Sequence, residues 1–181
     1  IIATATASDA QYTYTFTGWT NATDPITGNR EITANFTRET NTYTVTIQSN
    51  NAEYGTVDES SVTVDYGTEI TVSGNTITIG DTTITATPSI STAQYSYSFS
   101  SWSTGNTTVT GEITITATFT QAVQTYTVTW KNWDGTTLET DTSVPYGTTP
   151  EYNGETPTRE ETASHSYTFT GWDQEISPVT G

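Results

Sequence analysis

The 181-residue sequence contains no cysteine and no methionine. Without cysteine the chain has no disulfide, no zinc–thiolate site and no thiol nucleophile. Small extracellular units are often held together by disulfides, so packing of side chains must stabilise the fold here. Eleven Tyr, five Trp and five Phe are the material available for that packing.

Basic residues and long apolar runs are also scarce. Four Lys and Arg stand against 20 Asp and Glu, which gives a formal net charge of −16. Such a field repels phosphate backbones and anionic lipid, so neither nucleic acid nor a membrane surface is expected as a partner. No apolar run of 18 residues occurs, so no membrane insertion is expected in this segment.

Threonine is abundant instead, at about a quarter of the residues. Thr is β-branched and polar, so it suits the water-facing side of a strand. Disorder is the alternative for a polar, acidic chain, but aromatic residues alternate regularly with Thr or Ser. This pattern predicts half-buried strands.

One alternating stretch occurs three times. It reads Tyr-Thr-Tyr-Thr-Phe-Thr-Gly-Trp at residues 12–19, Tyr-Ser-Tyr-Ser-Phe-Ser-Ser-Trp at 95–102 and His-Ser-Tyr-Thr-Phe-Thr-Gly-Trp at 165–172. A shift of 83 positions places residues 1–47 on 84–130 without a gap. A fixed period of this kind indicates an array of similar units.

The period divides the chain into three modules. Residues 1–39 form the C-terminal part of one repeat module, 43–121 form a complete module, and 126–181 form a module that lacks its closing strand. The links at residues 38–42 and 121–125 are too short for free tumbling. The predicted fold is therefore mainly β, with tandem small antiparallel β-sheet modules and at most one helical turn.

The complete module is predicted to contain short strands separated by Gly-rich turns. Its inward-facing set follows from alternation: Tyr43, Val45, Ile47, Val62, Val64, Ile70, Val72, Tyr95, Tyr97, Phe99, Trp102, Ile113, Ile115, Ala117 and Phe119. In the third module, the Thr-Arg-Glu-Glu sequence at 158–161 has capping-box spacing and suggests one turn of helix.

The third module resembles the internalin-type B repeat, also called the Listeria-Bacteroides repeat. The resemblance is carried by Tyr-Thr-Val-Thr-Trp-Lys-Asn-Trp-Asp-Gly at 126–135, Val-Pro-Tyr-Gly at 144–147, Pro-Thr at 157–158, the stretch 167–172 and Val-Thr-Gly at 179–181. The middle module resembles the divergent branch of this family, with Ser-Asn-Asn-Ala-Glu-Tyr-Gly at 49–55 and an added hairpin at 75–84.

The resemblance implies β-grasp-like modules strung along large secreted or wall-attached surface proteins. There they act as spacers and contribute to adhesion. The implied location is extracellular, at the cell surface or in an extracellular filament. The resemblance brings no catalytic residues and no cofactor.

Three aromatic positions are candidate core anchors. Trp19, Trp102 and Trp172 follow equivalent strands, and burial of a large aromatic in each module is worth on the order of 3 kcal/mol. The alternative role is a sugar-stacking platform. Trp130 is expected to point into the core, whereas Trp133 lies at a turn and is the candidate for ligand contact.

The sequence offers no catalytic constellation and no metal site. His165 is the one histidine, and it occupies a position that holds Tyr in the other copies, with no nucleophile elbow nearby. Adjacent acidic pairs diverge on a strand and do not support glycosidase chemistry. Asn21, Asn35 and Asn106 lie in sequons and are candidate glycosylation sites.

Two functions follow as hypotheses. The first is a structural segment of an extracellular tandem-repeat protein, a spacer supporting adhesion whose partners are neighbouring copies or further repeats. Copies could join head to tail, with residues 1–7 replacing the missing closing strand, since open sheet edges invite strands. The alternative is that the sequence is a piece of a longer chain. The second function is carbohydrate binding through exposed aromatics, with surface glycans or proteins as partners.

Overall fold

The computed structural model describes residues 2–181 of the chain. Across this range the protein consists of β-strands, turns and irregular segments, without a helix. The prediction of a mainly-β fold is confirmed. The helical turn suggested for residues 158–161 is wrong, because the next residues instead form a tight turn closed by a bridge between Thr162 and His165.

Twelve strands occur within residues 2–181. They are β1 Tyr12–Thr20, β2 Thr33–Thr40, β3 Thr42–Ser49, β4 Gly55–Val57, β5 Ser61–Asp65, β6 Ile70–Ser73, β7 Thr76–Ile79, β8 Thr82–Pro88, β9 Tyr95–Trp102, β10 Ile113–Val123, β11 Thr125–Lys131 and β12 Thr137–Pro145. Each predicted strand of the middle module forms. The short strand β4 and the long strand β12 were not predicted.

The chain divides into two compact units. One comprises the chain up to Pro88 together with Phe99–Phe119, and the other comprises Ser89–Ser98 with Thr120–Gly181. The three modules with boundaries at 1–39, 43–121 and 126–181 remain a prediction from the sequence period.

Two four-stranded sheets dominate the middle of the chain. One has the order β5-β3-β10-β9 and the other β4-β8-β7-β6. Strands β3 and β10 are parallel, with Val45 opposite Ile113 and Ile47 opposite Ile115. Parallel neighbours need a long crossover connection, and here it runs through β4 to β9. At the β6–β7 hairpin the two-residue turn places Gly74 at a φ of 58°, which glycine adopts without strain.

The core lies between these sheets and is apolar throughout. Its buried members are Val45, Ile47, Ile70, Ile77, Ile79, Ile84, Ala86, Trp102, Val109, Ile115, Ala117 and Phe119. The predicted inward set contained seven of these residues. It left out Ala86, Val109 and the isoleucines of β7 and β8, although those isoleucines alternate with Thr. Val72 was assigned inward, but its side chain is 51% exposed on β6, the edge strand of its sheet.

Two further sheets contain two strands each. β1 pairs with β2, and the register breaks between Phe16 and Gly18. β11 pairs with β12, with two register shifts along its length. A two-stranded hairpin is marginal in water unless it packs on something else, so the contacts made by these hairpins matter for the candidate site.

Phe119 has the most constrained place in the core. Its side chain is 2% exposed. The side-chain amide of Asn50 replaces a strand partner here: its Oδ1 accepts the Phe119 N–H at 2.8 Å and its Nδ2 donates to the Phe119 carbonyl at 3.1 Å. A Cβ added to Gly55 would lie 2.5 Å from the Phe119 ring. Only glycine fits beside this ring.

We therefore expect Gly55→Ala to destabilise the protein by about 1–3 kcal/mol, the usual range for overpacking a core. Gly111→Ala is the matched control, since a Cβ at Gly111 would meet no atom within 4 Å. Urea unfolding of the two variants measures the difference. Equal midpoints would contradict the account of the Phe119 site.

Candidate functional site

Possible metal ligands do not cluster among the described residues. Over residues 2–181, no group of three or more His, Asp or Glu side chains could hold a metal ion. The His165 Nδ1 lies 2.8 Å from Ser164 Oγ, but both residues are exposed and adjacent in sequence. No carboxylate orients the ring among the described residues, so a catalytic triad is not formed.

The three repeated tryptophans occupy equivalent places beside a phenylalanine. The ring centroids of Phe16 and Trp19 are 5.6 Å apart, those of Phe99 and Trp102 are 5.7 Å apart, and those of Phe169 and Trp172 are 5.3 Å apart. Trp102 is 8% exposed. Trp19 and Trp172 are half-buried. None of the three rings stands free in solvent, which disfavours a row of sugar-stacking platforms.

Trp172 belongs to a second aromatic cluster near the C-terminal part of the chain. Its ring centroid lies 4.8 Å from Trp130 and 5.1 Å from Tyr152. Trp130 is 7% exposed, as predicted for a core position, and its Nε1 donates to Asp141 Oδ2 at 2.8 Å. A buried indole N–H therefore has its partner here, whereas the Trp102 Nε1 has none within residues 2–181.

Trp133 lies on a tight turn that its neighbours define. The Gly135 N–H donates to the Asn132 carbonyl at 2.9 Å, and the Asn132 N–H donates to the Thr136 carbonyl at 2.8 Å. The Asp134 carboxylate accepts the Thr136 backbone N–H at 3.0 Å. That bond, aided by the Thr136 hydroxyl, lowers the pKa of Asp134 below its ordinary 3.8. Trp133 itself is 61% exposed.

The Arg159 side chain contacts both this turn and the third aromatic stretch, at residues 165–172. Its guanidinium carbon lies 4.0 Å from the ring centroid of Trp133 and 3.9 Å from that of Tyr167. The His165 ring stacks on the Tyr167 ring, with the two centroids 6.4 Å apart. One face of Trp133 is therefore taken by a cation–π contact. Sequence reasoning missed this stack, because Trp133 is distant from Arg159 and Tyr167 along the chain.

These groups line one wide groove in the C-terminal unit, which we call the third-module groove. Its volume is about 1300 Å³. One wall is β11 with the turn that follows it, and the other runs from Tyr167 to Gly181. Phe169 is 39% exposed at this groove. The groove is wide enough to receive a ligand.

The three sequon asparagines are all exposed. Asn21 has a φ of 62°, Asn35 donates to the Thr20 hydroxyl at 2.6 Å, and the Asn106 N–H donates to the Thr104 hydroxyl at 3.2 Å. Exposure makes them accessible to a modifying enzyme and says nothing of whether one acts.

Fold and site together define a mainly-β chain with an exposed aromatic–arginine stack and an open groove. The chain matches no family model, no curated protein and no solved structure. No helix in residues 2–181 is long and apolar enough to cross a membrane. Function must therefore be argued from the contacts.

We expect the Asp134 carboxyl to titrate below pH 3.8 in a carbon-detected NMR titration. Thr136→Val removes the hydroxyl and should raise that pKa part of the way, because the backbone N–H bond remains. Any stability that this bond gives to the turn is present above the unfolded pKa and is lost as pH falls through the lower folded value. An Asp134 pKa at or above 3.8 in the unmodified chain would show that the turn is not formed this way.

Proposed function

We propose that this chain is a structural segment of an extracellular cell-surface repeat protein, a spacer that supports adhesion. The proposal rests on one observation: the junction between consecutive repeats is built from the same contacts 83 residues apart. It also accords with the resemblance to internalin-type B repeats.

The first junction is centred on Asn41, between β2 and β3. Its backbone N–H donates to the Gln11 carbonyl at 2.9 Å, and its carbonyl accepts the Tyr66 N–H at 2.8 Å. Its side-chain amide donates to the carbonyl of Asp9 at 2.8 Å. The Tyr43 hydroxyl donates to the Ala10 carbonyl at 2.6 Å. The start of β3 is thereby fixed to the loop that precedes β1.

The second junction repeats this arrangement at Gln124. Its backbone N–H donates to the Gln94 carbonyl at 2.8 Å, and its carbonyl accepts the Tyr146 N–H at 2.8 Å. Its side-chain amide donates to the Thr92 carbonyl at 3.5 Å. The Tyr126 hydroxyl donates to the Ala93 carbonyl at 2.6 Å. Each partner lies 83 positions after its counterpart, apart from Tyr146.

A recurring junction supports a spacer because it gives every repeat the same attachment to the next. A flexible linker would leave backbone groups to water, whereas here the backbone N–H and carbonyl of Asn41 and of Gln124 are both bonded. The length of an array then scales with the number of repeats. The high negative charge keeps such an array soluble and disfavours nucleic acid as a partner.

A finer form of the proposal is head-to-tail assembly of copies into a filament by strand complementation. The donor suggested by the sequence is the segment at residues 1–7. Its first residue lies outside the described residues, and Ile2 is 92% exposed. Further repeats in a longer chain would serve the same structural purpose without assembly.

Carbohydrate binding is the second candidate, favoured by the exposed face of Trp133 beside the third-module groove. Glycan-array screening tests it, with Trp133→Ala as the variant and Trp19→Ala as the matched indole control. Binding that disappears in the first variant alone supports it. Uniformly blank arrays would eliminate this candidate.

The spacer proposal predicts a narrow distance distribution across the first junction. Spin labels attached at Thr37→Cys and Thr63→Cys report it cleanly, because the chain has no other cysteine. Each hydrogen bond contributes about 0.5–1.5 kcal/mol net, so Asn41→Ala combined with Tyr43→Phe should broaden the distribution in pulsed electron spin resonance.

Tyr66→Phe is the matched control, since it also removes a hydroxyl near the junction while keeping the backbone bond from Tyr66 to Asn41. It should leave the distribution narrow. A broad distribution in the unmodified chain would refute a fixed junction and with it the spacer proposal.

A further inference from the structure

We propose that the third-module groove is an acceptor for one β-strand: an uncharged segment in which bulky apolar residues alternate with threonine, like Ile113–Phe119 of β10. The strand would lie parallel to β11 and beside residues 167–172. This inference rests on the proposed repeat architecture and names the partner of one of its sites.

The middle of the chain contains the occupied equivalent of this groove. There β10 lies between β3 and β9 and is parallel to β3. The Phe119 ring lies 5.8 Å from Phe99, which in turn lies 5.7 Å from Trp102. The first hairpin has the same contact, with Phe16 and Phe36 at 5.4 Å. A closing-strand phenylalanine thus covers the phenylalanine of the aromatic stretch in both places.

The third-module groove has the same two walls without the strand between them. A shift of 83 positions places β3 on β11, and residues 165–172 repeat the sequence pattern of β9. Within the described residues, Phe169 contacts Trp172 but has no phenylalanine partner corresponding to Phe119. Residues 166–172 form no strand, as expected of a segment whose ladder partner is absent.

A further contact shows that the groove is otherwise assembled. The Val179 N–H donates to the Thr148 carbonyl at 3.0 Å, and the Gly147 N–H donates to the Val179 carbonyl at 2.8 Å. The Val109 N–H and Thr68 carbonyl, with the Gly67 N–H and Val109 carbonyl, form the same pair of bonds in the middle of the chain at 2.9 and 2.7 Å. The segment that follows the aromatic stretch is therefore held at Val179.

The equivalent pairing also sets the register. Ile113 lies opposite Val45 and Ile115 opposite Ile47, and the 83-residue shift carries these partners to Val128 and Trp130. An incoming strand would place its first two apolar residues beside these side chains. A neutral strand is favoured because the chain carries a net charge of −16 and repels acidic segments.

The test adds a synthetic uncharged peptide with the sequence of residues 113–121 to the full chain. We expect saturable binding, with NMR shifts and slowed amide exchange in residues 126–131 and 167–172, and a change in tryptophan fluorescence. A peptide with Phe119→Ala should bind roughly tenfold more weakly or worse, since it loses the ring that covers Phe169. A change in the peptide leaves the protein itself unaltered, so it does not affect folding of the protein.

A peptide of the same composition, with its apolar residues in adjacent pairs, is the control for nonspecific binding, because no register places them all on one face. Equal binding of this control, or no binding of the 113–121 peptide, would overturn the proposal. Self-association of the chain through the same amides would overturn the proposal too, if the peptide did not displace it. The spin-label result at the first junction does not involve this groove, so failure here leaves the spacer proposal separately testable.

Discussion

The structure depends on one interaction: the packing of the Phe119 side chain, which projects from β10 into the core. The ring is buried against Phe99 and fills the space beside Gly55. The Asn50 side chain bonds both backbone groups of Phe119, so β10 is held beyond the last residue of its ladder with β3 as well as along it. Without β10, β3 would lose its parallel partner and Phe99 would lose its contact with the Phe119 ring.

The rest of the architecture follows from placing aromatics and isoleucines on inner faces and threonines outside. No polar or charged residue is buried among residues 2–181, so the core contains no charge that requires compensation. The hydroxyls of Thr78 and Thr83 are 3.0 Å apart on an exposed face, as expected for cross-strand threonine pairs. A chain without cysteine is thus held mainly by packing, strand pairing and side-chain hydrogen bonds such as those of Asn50.

Alternation of apolar residues with Thr or Ser was sufficient to locate most strands of the two four-stranded sheets, because each strand has one buried face and one face in water. The predicted inward set left out Ile77, Ile79 and Ile84, although each alternates with Thr along its strand. It also wrongly included Val72, which lies on the edge strand β6. The parallel pairing of β3 with β10 is set by a long crossover, which local pattern does not encode. The stack of Arg159 on Trp133 and Tyr167 was missed because it also depends on tertiary structure, which local pattern does not encode.

Backbone hydrogen–deuterium exchange, resolved by residue, tests the central role of the closing strand most directly. The account predicts that amides of β3, β10 and Phe99–Trp102 exchange slowly, whereas those of residues 167–172, which have the same sequence pattern but no closing strand beside them, exchange quickly. Comparable protection in the two aromatic stretches would contradict it.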